Sequence, residues 1–158
     1  MKTIVLLATV HQYQIRGNEF NSGLETRLAY LTSRFSVQVV MEEWAERHGQ
    51  SVASQFAQTR QLSWANVGTP DETQFRTYTG PVNYPGHDGP NGDWDAPGMD
   101  QYGPYENQES RELRMAANVD AEMKSYEAGL FILGLAHMHS IFGKLRSLEF
   151  NVTGYSWL

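Results

Sequence analysis

The sequence predicts an α/β domain in which helices pack on a largely parallel sheet. Three features carry that prediction. Several short runs are apolar at consecutive positions rather than alternate ones, as strands covered on both faces require. Segments with apolar residues at helical spacing fall between those runs, so strands and helices alternate. The length of 158 residues suits a single domain, residues 1–158, with a core of its own.

Residues 3–10 are almost wholly apolar and rich in β-branched side chains, and read as the first strand. Residues 12–21 are polar, contain Gly17 and read as a loop. A helix follows, with Asn21 or Ser22 as its N-cap and Leu24, Leu28 and Leu31 at helical spacing. Residues 37–41 form a second strand, giving a β-α-β unit whose right-handed crossover makes the two strands parallel. A second helix is expected over 44–58, weakened in its middle by Gly49. A short third strand over 62–67 is closed by Gly68, Thr69 and Pro70.

The composition then shifts. Every proline lies from Pro70 to Pro104, six glycines fall from Gly80 to Gly103, and no lysine or arginine occurs from residue 77 to residue 110. Such a stretch cannot bury a core, so residues 79–107 read as one long acidic loop or lid within the domain. Asn107 or Ser110 starts the next helix, which runs to about Tyr126 with Met115, Val119 and Met123 on one face. Residues 130–136 read as the fourth strand, 143–148 as a short helix and 150–157 as the last strand.

Charge and composition remove several function classes. A formal charge of −6 without a basic patch argues against nucleic acid as the main partner. The chain has no cysteine, which excludes disulfides, thiolate metal sites and a cysteine nucleophile. No apolar run approaches the ~20 residues that cross a bilayer. After Val10 comes His-Gln-Tyr-Gln rather than a small-residue cleavage site, so the apolar start does not read as a secretory signal. A cytoplasmic protein is the expectation. Neither a Gly-x-Ser-x-Gly elbow, a phosphate-binding glycine loop nor His-Glu-x-x-His is present. Asp88, Asp93 and Asp95 do not match the spacing of a calcium-binding EF-hand loop.

In open parallel sheets, sites form outside the carboxyl ends of the strands. His11 follows the first strand, Glu42 and Glu43 follow the second, and His137 follows the fourth. Either imidazole alone is well explained by a strand-end hydrogen bond to backbone. Two at equivalent strand ends, with a carboxylate between, suggest a metal site or an acid–base site. One of the two glutamates is explained by the positive end of the following helix; the other, with Glu42 favoured, must lie over the sheet edge. Arg111 lies four residues before Met115 on the buried stripe of a helix whose start faces the same rim. It would bind an anionic group or an oxyanion, or else form a structural ion pair with Glu112 or Glu42. His139 is placed to join the site only if the chain turns at His137. His87 and His48 are bystanders.

The order of these residues resembles the TraB/Tiki superfamily, which includes the erythromycin esterases and the haem-binding ChaN proteins. The matching segments are Ala8-Thr-Val-His11, Val-Val-Met-Glu42, Arg111-Glu-Leu-Arg-Met115-Ala116 and Gly134-Leu-Ala-His137. Ala8 stands where the family has its first glycine, and Glu149 where a glycine usually precedes the last strand. The resemblance implies a hydrolase site built from His11, Glu42, Arg111 and His137.

The function expected from residues and resemblance together is metal-assisted hydrolysis of an amide, peptide or ester bond. His11, Glu42, His137 and His139 would hold a divalent ion, manganese foremost, with zinc, cobalt or nickel left open. Glu42 or Glu43 would take the proton of the bound water and Arg111 would steady developing charge. A non-catalytic ligand- or haem-binding protein and a phosphoester hydrolase are the alternatives. The expected partner is a small-molecule or peptide substrate, not a membrane, with homo-oligomers left open.

Overall fold

The computed structural model describes residues 1–68 and 108–157. Five strands lie in one sheet: β1 Thr3–Thr9, β2 Val39–Glu42, β3 Ser63–Asn66, β4 Ala128–Gly134 and β5 Asn151–Ser156. Their order is β3-β2-β4-β1-β5, and every neighbouring pair is parallel. The α/β class expected from the alternation is the class observed. The 79–107 lid, with His87 and the acidic residues at 88–100, lies outside the described residues.

Burial follows the strand pleat, which sends alternate side chains to opposite faces. Ile4, Leu6, Val39, Met41, Phe131 and Leu133 form one core. Val5, Leu7, Val40, Leu130 and Ile132 form the other. Helix α2 (Asn21–Arg34) and helix α3 (Val52–Thr59) cover the second face with Leu24, Leu28, Leu31, Val52 and Phe56. Helix α4 (Gln108–Glu122) and helix α5 (Met138–Ser147) cover the first with Met115, Val119, Ile141 and Leu145. The stripe read from the sequence at Met115, Val119 and Met123 is fully buried.

Connections running from β1 to β2 and on to β3 therefore use one face, and those leading to β4 and on to β5 use the other. β4 sits between β1 and β2, and its chain leaves towards the opposite face from theirs. Such a divergence opens a crevice at the strand ends. His11, Glu43 and His137 follow the three strands that border it.

Several boundaries differ from the expectation for local reasons. Residues 11–14 are not loop: α1 (His11–Gln14) is a single helical turn. Asn21 does not cap α2. Its carboxamide instead accepts from Gly17 and Asn18 N–H and donates to the Tyr13 and Ile15 carbonyls, tying down the preceding loop. The helix expected over 44–58 breaks at Gly49, whose φ of +74° no helix tolerates. A 3₁₀ turn, Glu46–His48, precedes the break, and α3 starts afresh after Ser51, which accepts from Ser54 N–H at 2.9 Å. β4 ends at Gly134 rather than residue 136, giving way to a 3₁₀ turn, Leu135–His137, that leads directly into α5. α5 accordingly begins five residues before the expected start at 143.

Candidate active site

Glu42 and Glu43 extend β2 beyond its apolar part, and Glu43 N–H still donates to the Ile132 carbonyl of β4 at 2.9 Å. Strand alternation then separates the neighbouring carboxylates. Both are buried, at 0% and 3% exposure, yet they bond to different partners.

Glu43 lies among two imidazoles and a guanidinium. Its Oε1 is 3.4 Å from Arg111 Nη2 and 3.4 Å from His137 Nε2, and its Oε2 is 3.7 Å from His11 Nε2. Gly134 N–H donates to Oε2 at 3.1 Å. Burial by itself would raise the carboxyl's pKa. The hydrogen bond from His137, the charges of His11 and His137 and the Gly134 N–H outweigh burial and bring it down to about 2.

His137 sits at the 3₁₀ turn and is held from both sides, with Nδ1 2.8 Å from Glu112 Oε1 and Nε2 towards Glu43. Burial and the Arg111 charge push its pKa down, but the two carboxylates prevail and raise it. Glu112 and Arg111 are adjacent in the first turns of α4. Arg111 is 12% exposed at its side chain, in agreement with its place on the buried stripe. Its observed acidic partner at the rim is Glu43, where the sequence reading had offered Glu112 or Glu42.

His11 is the accessible member. Its side chain is 53% exposed, against 4% for Glu43 and 9% for His137. Because α1 makes one turn, His11 and Gln14 lie on one side of it, and His11 Nδ1 is 2.9 Å from Gln14 Oε1. The imidazole passes over Gly134. A Cβ at that position would stand 2.9 Å from His11 Nε2 and 3.6 Å from Glu43 Oε2, so the missing side chain makes the room for this approach.

Glu42 faces the other way, into neutral donors. Gln14 Nε2 donates to its Oε1 at 2.8 Å, and Ser51 Oγ and Trp64 Nε1 donate to its Oε2 at 2.5 and 2.9 Å. Here burial is the largest influence and raises the pKa, against the three donors and the more distant charge of His11.

Of the residues singled out in the sequence, His11, Glu43, Arg111 and His137 meet at one rim. Glu42 reaches His11 only through Gln14, and His139 is exposed in the first turn of α5. His48 is exposed and lies tilted at 58° against the Trp44 ring, 5.7 Å between centroids. Among the described residues, no group of three or more His, Asp or Glu is arranged to hold a metal ion. Sequence reasoning gave no role to Gln14, Ser51 or Trp64. Only Gln14 carried a signal, its separation of three residues from His11. Comparison with family models, curated proteins and solved structures finds no match for this chain.

Proposed function

We propose that the rim is a hydrolytic site in which His11 acts as general base on a water molecule, with Glu43 as its anionic partner. The observation that carries the reading is the single Glu43 carboxylate shared by two imidazoles and a guanidinium, with only one of those rings open to solvent.

The separation of 3.7 Å between His11 Nε2 and Glu43 Oε2 is too long for a direct hydrogen bond and suits a bridging water. That water would donate one proton towards Nε2 and the other towards Oε2, leaving an oxygen lone pair for attack on a carbonyl. His11 takes the first proton as the new bond forms. Attack moves the carbonyl π pair onto oxygen, and Glu43, ionised throughout the neutral range, stabilises the imidazolium. The tetrahedral intermediate then collapses, its C–O or C–N bond breaks, and the alcohol or amine leaves with the proton that the imidazolium returns. Arg111 and His137 keep Glu43 charged and in place, and Glu112 holds His137.

The resemblance to TraB/Tiki hydrolases favours ester and amide bonds as substrates. Glu42 is taken up by Gln14, Ser51 and Trp64, and among the described residues no three His, Asp or Glu are grouped to hold an ion, so the chemistry is assigned to protein groups. The divalent ion expected for this site is tested alongside.

Purified protein is assayed on panels of esters, amides and phosphoesters, with metal content measured by mass spectrometry and the visible spectrum recorded for haem. Wild type should cleave an ester or amide, and His11→Ala should lower the rate by about 10²–10⁴-fold, the range for a general base. Turnover that is unchanged in both His11→Ala and His137→Ala would overturn the reading. Metal lost from both variants along with activity would return the histidines to the role of ligands.

A further inference from the structure

We infer that Glu42 is a positioning residue which, through the Gln14 carboxamide, fixes the proton of His11 on Nδ1 and leaves the Nε2 lone pair free. The inference rests on the reading of His11 as general base, and it assigns a task to a buried carboxylate that the reaction does not touch.

The argument begins with Glu42. Ser51 and Trp64 both donate to Oε2, and the Ser51 hydroxyl is itself occupied as an acceptor by Ser54 N–H. Oε1 is left to Gln14 alone. A carboxylate only accepts, so it selects the orientation of the Gln14 amide in which the NH₂ group points at Glu42. The carbonyl oxygen must then point the other way, where it lies 2.9 Å from His11 Nδ1. A carbonyl also only accepts, so the nitrogen facing it carries the hydrogen. Neutral imidazole has one N–H, and Nε2, which faces Glu43 Oε2, is therefore the basic nitrogen.

Each link is a short contact between groups of fixed polarity, so reversing the first link reverses the last. Glu42→Gln is nearly isosteric. Its oxygen would keep the bonds from Ser51 and Trp64, and its NH₂ would face Gln14. The Gln14 amide then turns over, offers NH₂ to Nδ1 and moves the imidazole proton to Nε2, where it blocks the base. The exchange variant Glu42→Gln/Gln14→Glu restores the original polarity. The new carboxylate at position 14 accepts from the amide at 42 on one side and from His11 Nδ1–H on the other.

The test is long-range ¹⁵N–¹H correlation of the His11 ring at alkaline pH in wild type, Glu42→Gln and the exchange variant, with backbone amide spectra confirming the fold. The expected series is Nδ1–H, Nε2–H, Nδ1–H. Turnover should fall about a hundredfold or more in the single variant and recover in the exchange, as loss of the productive tautomer requires. A wild-type ring protonated on Nε2, or one tautomer common to all three proteins, would overturn the inference. Wild type alone can give that refutation, so a variant that fails to fold does not protect the idea. The ring spectra need no substrate: the expected series in a protein that cleaves nothing would sink the hydrolase reading and leave the proton relay standing.

Discussion

Glu42 and Glu43 are consecutive, equally buried and chemically identical, yet the fold gives them opposite electrostatic settings. Around Glu43 stand Arg111, His137, His11 and one backbone N–H, and the carboxyl stays ionised down to about pH 2. Around Glu42 stand an amide, a hydroxyl and an indole, and desolvation pushes its pKa up. Environment rather than residue type separates the tasks of paired carboxylates. One holds permanent charge beside a base, and the other supplies the fixed polarity of a hydrogen-bond chain.

Removing the centre of the cationic cluster should have the largest effect. Glu43→Ala removes the carboxylate that Arg111 and His137 share and should cost about 3–5 kcal/mol of folding stability, measured by urea denaturation at neutral pH. A loss under about 1 kcal/mol would show that the cluster is not held together by its anion.

Acid should act on Glu43 next. Its folded pKa of about 2 lies below its ordinary 4.5, so the unfolded chain takes up the proton first. The stabilisation is complete above pH 4.5 and drains as the pH falls through about 2, of order 3 kcal/mol in all. Denaturation midpoints in wild type should slope downwards across that window, and those of Glu43→Gln should slope less. His137 has the opposite sign. Its pKa is raised above 6.5, so its contribution is full below that value and is lost as the pH climbs through the raised one.

Gly134→Ala probes the room between the two settings. The new methyl would stand 2.9 Å from His11 Nε2, and the half-exposed ring can yield by swinging outwards. Turnover should fall about a hundredfold through misplacement of the base, with only a small change in stability. Equal activity in this variant would show that the His11 position over Gly134 is not the working one. The smaller stability cost of the two carboxylates is expected at Glu42→Gln, whose amide keeps partners for Ser51, Trp64 and Gln14. A cost of about 1 kcal/mol should appear in the same urea series, well below that of Glu43→Ala. A larger cost than at Glu43 would reverse the contrast between the two carboxylates.

Much of the frame was legible because burial on both faces writes strands as unbroken apolar runs, as in residues 3–10 and 130–134. Helix α4 was legible through Met115, Val119 and Met123, and its phase placed Arg111 correctly on the buried side. What the sequence left undecided was which of Glu42 and Glu43 faces the imidazoles. That depends on where the strand pleat ends, which no pattern of residue types records. The Gln14, Ser51 and Trp64 cradle was invisible, because each residue arrives from a different element and none breaks a local rule. Glu149 has a backbone conformation that no periodicity announces. It adopts φ +67°, the left-handed conformation that glycine enters at least cost.

The order β3-β2-β4-β1-β5 has a consequence for how the molecule comes into being. β1 and β2 never touch through a hydrogen-bonded ladder; β4, more than a hundred residues into the chain, fills the gap between them. A nascent polypeptide that has emerged only as far as residue 68 can pair β2 with β3 but has nothing to join β1 to them. Collapse must wait for the late strand, the costly kind of long-range closure. The same late arrival brings Gly134 and His137, so the sheet and its chemistry are completed in one event.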